Sequence, residues 1–307
     1  MLEWPLVLAI FVNVIIPVVL VAVLGMALHR WKRPATAPVS LLVLNLFSPA
    51  LVFVSLAKSD LGGALFARTT IFVVLLAIAS LSMAWAVARA IRADRHTESG
   101  MLLGSAFMNV NNLGLPVTQF AFGQAALERA VLFFVTQAIL TWTLGAYIAA
   151  RSSTLGLRPL LGAFRLPTTY AAMAGVLISL TGAHVPSPIM KPLELLALAA
   201  IPTMLVVLGF QLSTGALRQP GTVAVVVLLR LVLSAAIAFP LSLWVGAQGL
   251  DRQVMIVMAA MPTAVFTSLL ATEFGANPTL VSSVVVTSSV ASIVTLAVVI
   301  RLVQGLA

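Results

Sequence analysis

Ten apolar runs follow one another along the 307-residue chain, separated only by short stretches carrying charges, proline or glycine. Most are long enough to cross a hydrocarbon layer about 30 Å thick. So many runs cannot share one water-soluble core. The chain is 61% hydrophobic and 8% charged, whereas soluble domains carry about 25% charged residues. Helices satisfy their own backbone hydrogen bonds in lipid, so the expected class is an all-α integral membrane protein. Residues 1–307 read as one membrane domain, without a soluble domain or long linker. The first run lacks a small-residue cleavage site and reads as a retained span. There are no cysteines, which excludes disulfides, thiolate catalysis and Cys-rich metal sites.

The expected spans cover roughly 5–28, 38–57, 65–88, 100–122, 127–150, 167–182, 190–216, 222–247, 252–274 and 278–303. Arg30, Lys32 and Arg33, then Arg89, Arg92 and Arg95, then Arg151, Arg158 and Arg165, then Arg218 fall in alternate loops, the placement expected of cytoplasmic loops. The other loops hold fewer cations, each near an acid: Lys58 beside Asp60, Arg129 beside Glu128, Lys191 near Glu194, Arg252 beside Asp251. Both termini are therefore expected outside the cytoplasm, in a multi-pass protein of the cell inner (plasma) membrane. Topology accounts for the net charge of +9 without nucleic acid. Trp4 and Trp31 occupy positions of interfacial anchors.

Dividing the chain after the fifth span gives two halves of five spans, about 1–155 and 156–307, which must run in opposite directions. Spans two and seven each carry a mid-span proline, Pro49 and Pro202. Span four contains Gly114-Leu115-Pro116 and later Phe122-Gly123; span nine contains Ala260-Met261-Pro262 and later Phe274-Gly275. Seven residues separate Pro116 from Gly123 and thirteen separate Pro262 from Gly275, so the match is imperfect. The pattern predicts two inverted five-helix repeats with broken helices 4 and 9 crossing at the midplane.

A proline inside a helix removes a donor and frees a carbonyl, and those groups must face protein, water or ligand rather than lipid. Around the expected break in span four lie Asn109, Asn111, Asn112, Gly114 and Pro116; around that in span nine lie Pro262, Thr263 and Thr267. Opposed half-helix starts would offer N–H groups and positive dipole ends, a field suited to a carboxylate. The ordinary alternative is that prolines kink membrane helices and asparagines tie them together.

Several segments together resemble the auxin efflux carrier family: Leu44-Asn45-Leu46-Phe47-Ser48-Pro49-Ala50-Leu51, Asn109 through Pro116 with Phe122-Gly123, Ile201-Pro202 with Leu208-Gly209 and Leu212, Met261-Pro262 with Phe274-Gly275, and Thr287-Ser288-Ser289 with Ser292. The resemblance spans the full length. It implies scaffold helices 1, 2, 6 and 7, transport helices 3–5 and 8–10, and elevator-type alternating access. It also places Pro116 and Pro262 at the crossover with Asn109 beside it, and Gln137 where the fifth helix adds an amide. Asn45 and Ser48 are the polar candidates of span two, because Lys58 lies at its outer end, a departure from the plant pattern of a basic residue near the substrate. The family's bacterial members point first to a dicarboxylate such as malate or malonate, with an auxin-like acid as alternative. Homodimers occur in the family.

No Asp, Glu or His falls at an expected midplane, so potential-driven uniport of a small organic anion is the expected mechanism. Sodium or proton coupling and a non-transporting receptor are the alternatives. Arg230, some eight residues into span eight, either draws anions toward the pathway or snorkels to headgroups. Activated catalytic groups are missing at depth, which argues against an intramembrane enzyme. No cofactor and no metal site are implied; membrane lipids are expected partners.

Overall fold

The computed structural model of the protein describes residues 4–58, 63–151, 166–213 and 218–306. Asp60, Arg158 and Arg165 lie outside the described residues, as does the side chain of Trp4. Among the described residues all regular structure is helical, and seven helices are long and apolar enough to cross a membrane. These are α1 (Pro5–Lys32), α2 (Thr36–Ala57), α3 (Gly63–Ala90), α5 (Gln124–Ala150), α7 (Ser187–Ser213), α8 (Pro220–Trp244) and α10 (Pro278–Gln304). Between them run the short α6 (Pro167–Thr181) and two interrupted stretches. The first consists of α4a (Arg95–Ala106) and α4b (residues 110–122), the second of α9a (Gly249–Ala259) and α9b (Val265–Phe274).

Local chemistry sets several ends. Asp94 caps α4a by accepting from the amides of His96 and Thr97 at 2.9 and 3.0 Å. Asn277 caps α10 through the amide of Leu280 at 3.1 Å. Gly182 closes α6 with φ 63°, a left-handed turn that glycine enters without a Cβ clash.

The prolines act more gently than the sequence pattern predicts. Pro17, Pro49 and Pro116 each follow a π turn, Phe11–Ile15, Val43–Phe47 and Val110–Gly114. A widened turn re-pairs backbone groups that a proline would otherwise orphan, and the helix continues. Pro202 lies within an unbroken, 27-residue α7.

Contacts between loops sort the helix ends into two sets. On one side Asn277 donates to Thr97 Oγ1 at 3.1 Å, Arg151 pairs with Glu98 at 3.5 Å, and Ser213 Oγ lies 2.6 Å from His29 Nδ1. On the other, Lys58 pairs with Glu194 and Arg129 with Asp251, both at 2.5 Å. The helices thus alternate in direction.

Close backbone approach fixes α1 against α7. A Cβ on Gly209 would sit 2.0 Å from the Ala22 carbonyl oxygen, and one on Gly25 would sit 2.5 Å from that of Val206. Only glycine permits this spacing. The interruptions lie in fully enclosed packing, where Leu103, Phe107, Met258 and Met261 have no exposed surface.

Candidate functional site

The two interruptions pair with each other. Met108 and Thr263 form an isolated antiparallel bridge. The amide of Asn109 donates to the Pro262 carbonyl at 2.7 Å, and the amide of Ala264 donates to the Phe107 carbonyl at 2.8 Å. Backbone groups released by each break are therefore satisfied by the other break.

The break in the fourth stretch covers Phe107–Asn109 and precedes the residues expected to carry it. Gly114 lies in the π turn and Pro116 in α4b beyond it. Gly114 serves packing, since a Cβ there would approach Met258 Sδ to 2.9 Å. In the ninth stretch Pro262 does lie within the break, between α9a and α9b.

Both restarting helices begin at a cavity of about 1090 Å³. Its wall includes Met108 through Asn112 at the start of α4b and Ala264 through Phe266 at the start of α9b. Helix α2 contributes Ser40 and Asn45, α5 contributes Gln137, Thr141 and Trp142, and α7 contributes Val207 and Gln211. The opening amides of a helix lack intrahelical acceptors and carry partial positive charge, so two such ends favour an anion at this wall.

Gln137 supplies the clearest polar signal. It is 1% exposed, and neither its Nε2 nor its Oε1 has a hydrogen-bond partner within the protein. Asn109, 4% exposed, caps α4b weakly through Oδ1, which accepts from the Asn112 amide at 3.3 Å, while its Nδ2 is unpartnered. Asn111 donates to Asn112 Oδ1 at 3.3 Å and leaves its own Oδ1 unpartnered. Buried polar groups are normally paired, and leaving one unmade costs about 1–3 kcal/mol. Several such groups on one cavity wall mark a place where a ligand or water completes the bonding.

The remaining sequence candidates divide. Asn45 reaches the cavity, although it is exposed and its Nδ2 donates to the Leu41 carbonyl at 2.9 Å. Ser48 is fully buried with an unpartnered hydroxyl, yet it lies off the cavity wall. Thr263 and Thr267 also lie off it. Thr263 Oγ1 donates to the Gly104 carbonyl at 2.6 Å and its amide to Ser288 Oγ at 3.1 Å, tying the break to α4a and α10. Thr267 Oγ1 donates to the Ala264 carbonyl at 2.6 Å. Sequence reasoning missed Phe134, Trp142 and Phe266, whose rings give the wall its aromatic character. Trp142 and Phe266 stand 4.2 Å apart between centroids. They sit among many apolar residues of their helices and nothing local distinguishes them.

Arg230 neither snorkels nor faces the cavity. It is fully buried, and its guanidinium donates to the Ser105 carbonyl at 2.9 Å, to Ser234 Oγ at 2.5 Å and to the Ala259 carbonyl.

Comparison with known proteins settles the family. The profile described as membrane transport protein matches residues 10–300. The chain belongs to that family. Within this membrane transport protein family, which includes the auxin efflux carriers, the chain is similar to an uncharacterized transporter of Methanothermobacter thermautotrophicus. That relative is 32% identical over 258 residues, 83% of this chain and 84% of the relative. An uncharacterized transporter of Methanocaldococcus jannaschii is 28% identical over 205 residues, 64% of this chain and 66% of the relative. Family and relatives indicate a membrane transporter and not an enzyme.

Proposed function

We propose that this protein is a secondary transporter of small organic anions that binds its substrate in the cavity where α4b and α9b begin. One observation carries the reading: two helix starts meet a cavity wall on which the buried amides of Gln137 and Asn109 have unpartnered atoms. A carboxylate accepts hydrogen bonds from such donors and neutralises the positive ends of both helices.

The cavity chemistry favours one carboxylate on an apolar body over the dicarboxylate expected from bacterial relatives. Among the described residues that line it none is Lys, Arg or His, and Glu273 is one of them. Among those residues a dianion meets no full positive charge. Leu41, Phe134, Trp142, Phe266 and Leu269 instead offer apolar and aromatic surface.

In this reading the chain crosses the membrane ten times as two inverted repeats, with the interrupted stretches crossing near mid-bilayer. The segregation of loop contacts supports that count. The cavity lies between α2 and α7 on one side and the break, α5 and α9b on the other, where a moving unit would slide past a fixed one. The cavity wall extends to the starts of α2 and α6 and the end of α9b, helix ends assigned to the cytoplasmic side by the distribution of basic loops. Export of a monovalent anion would be driven by the membrane potential, worth about 2.3 kcal/mol per charge per 100 mV.

Counterflow in proteoliposomes tests the reading directly. Aromatic and aliphatic monocarboxylates are expected to exchange faster than dicarboxylates of equal size. Ligand-induced stabilisation without exchange of any acid would identify a receptor and end the proposal.

A further inference from the structure

The largest fully buried side chain in the described protein is a cation without an acid beside it. Arg230 lies in the π turn Leu229–Leu233 of α8, and its hydrogen-bond partners are neutral oxygens. Two of them have a special place. Ser105 is the penultimate residue of α4a and Ala259 is the last residue of α9a. At those ends a helix exposes carbonyls without intrahelical donors and carries partial negative charge. One guanidinium therefore closes both helices that stop at the paired break.

A charge in this position ordinarily needs a counter-ion, because leaving a buried ion uncompensated is strongly unfavourable. Here the ends of α4a and α9a together supply the negative potential. Two main-chain carbonyls and the Ser234 hydroxyl also form an oxygen set of the kind that a hard cation takes at discontinuous helices. The planar fork of arginine reaches these separated acceptors at once, which a point charge does not.

We infer that Arg230 is the resident cation of the paired break: it occupies the place a coupling ion would need and positions α4a and α9a so that α4b and α9b start at the cavity wall. The part concerning coupling rests on the transport reading; the positioning part does not. Binding and exchange are consequently independent of sodium, and a small side chain at residue 230 opens a vacancy selective for guanidinium-like cations.

The test uses the full-length protein in lipid nanodiscs and proteoliposomes, with Arg230→Ala, Arg230→Met and Arg230→Lys variants. Sodium, potassium, choline and methylguanidinium chlorides are compared at equal ionic strength. Wild-type thermal midpoint and counterflow should be the same in sodium, potassium and choline. Arg230→Ala should lose at least tenfold in exchange and have a lower midpoint, both substantially restored by millimolar methylguanidinium and not by choline. Arg230→Met fills the space without charge and should be equally impaired and refractory. Arg230→Lys should rank between wild type and Arg230→Met, a comparison that decides the matter if the alanine variant does not fold. Wild-type behaviour of Arg230→Met, equality of the Lys and Met variants, failure of methylguanidinium to restore folded Arg230→Ala, or a sodium requirement in the wild type would overturn the inference. The midpoints need no substrate. Absence of all exchange by the wild type would therefore sink the transport reading while the role of Arg230 is still decided.

Discussion

Asn109 gives its backbone amide to the carbonyl of Pro262, 2.7 Å away and on the other interrupted stretch. Because the Ala264 amide answers to Phe107 at 2.8 Å, the two breaks hold each other by a reciprocal pair. That arrangement spares the main chain, so the side chains of Asn109 and Gln137 can be left for a ligand.

Replacing Gln137 with leucine keeps the shape and removes two unpartnered polar atoms. Substrate affinity should fall about tenfold, roughly 1.4 kcal/mol, while the ligand-free protein keeps or slightly gains stability. Ligand-shifted thermal unfolding reads both quantities. Unchanged affinity in this variant would remove Gln137 from the site.

Asn109→Ala deletes the cap on Asn112 and the free Nδ2 together. Exchange should drop at least tenfold, with a stability loss of only about 1 kcal/mol, the usual cost of a lost cap. Counterflow measured beside thermal unfolding separates the two effects.

Thr263→Val should show the opposite pattern. Its hydroxyl bonds Gly104 and does not line the cavity, so the variant should lose about 1–3 kcal/mol of stability by leaving that carbonyl unpaired. Substrate affinity measured on the folded fraction should be unaltered.

Gly209→Ala drives a methyl group into the backbone of α1, 2.0 Å from Ala22 oxygen and 2.7 Å from Met26 nitrogen. Separating the helices should cost about 1–3 kcal/mol. Thermal unfolding in nanodiscs measures it, and a neutral substitution would mean that α1 and α7 are not held this tightly.

Asp94 gives a pH signature outside the spans. Hydrogen bonds from Thr97 first, and then His96, hold its carboxyl below the ordinary 3.8. Its contribution is present above that ordinary value and is lost as pH falls through the lowered folded-state value. Asp94→Asn keeps an acceptor oxygen for the cap but does not titrate. Its thermal midpoint should fall less steeply than that of wild type as pH drops below about 4, in parallel melts from pH 6 to 3.

Apolar run length made the helices legible from sequence, and most ends fall within a few residues of expectation. That spans four and nine are interrupted was also legible, from the density of asparagine, glycine and proline. The location of the first break was not. Pro116 is a strong local breaker, but the π turn Val110–Gly114 absorbs its missing donor, whereas Phe107 and Met108 leave the helix because partners on another segment await them. The same limit hid the role of Arg230, which the sequence singles out, since the carbonyls it serves lie 125 and 29 residues away in the chain.

Helix α6 has fifteen residues, stopped before Pro167 by an extended Leu166 and after Thr181 by Gly182. It rises only about 22 Å, some 8 Å less than an average hydrocarbon layer. In the ten-span reading proposed above, lipids beside it shorten or tilt their tails to meet it, a pinched flank on the protein. Acyl-chain length then becomes a control on the carrier: thick bilayers penalise this flank, and thin ones relieve it.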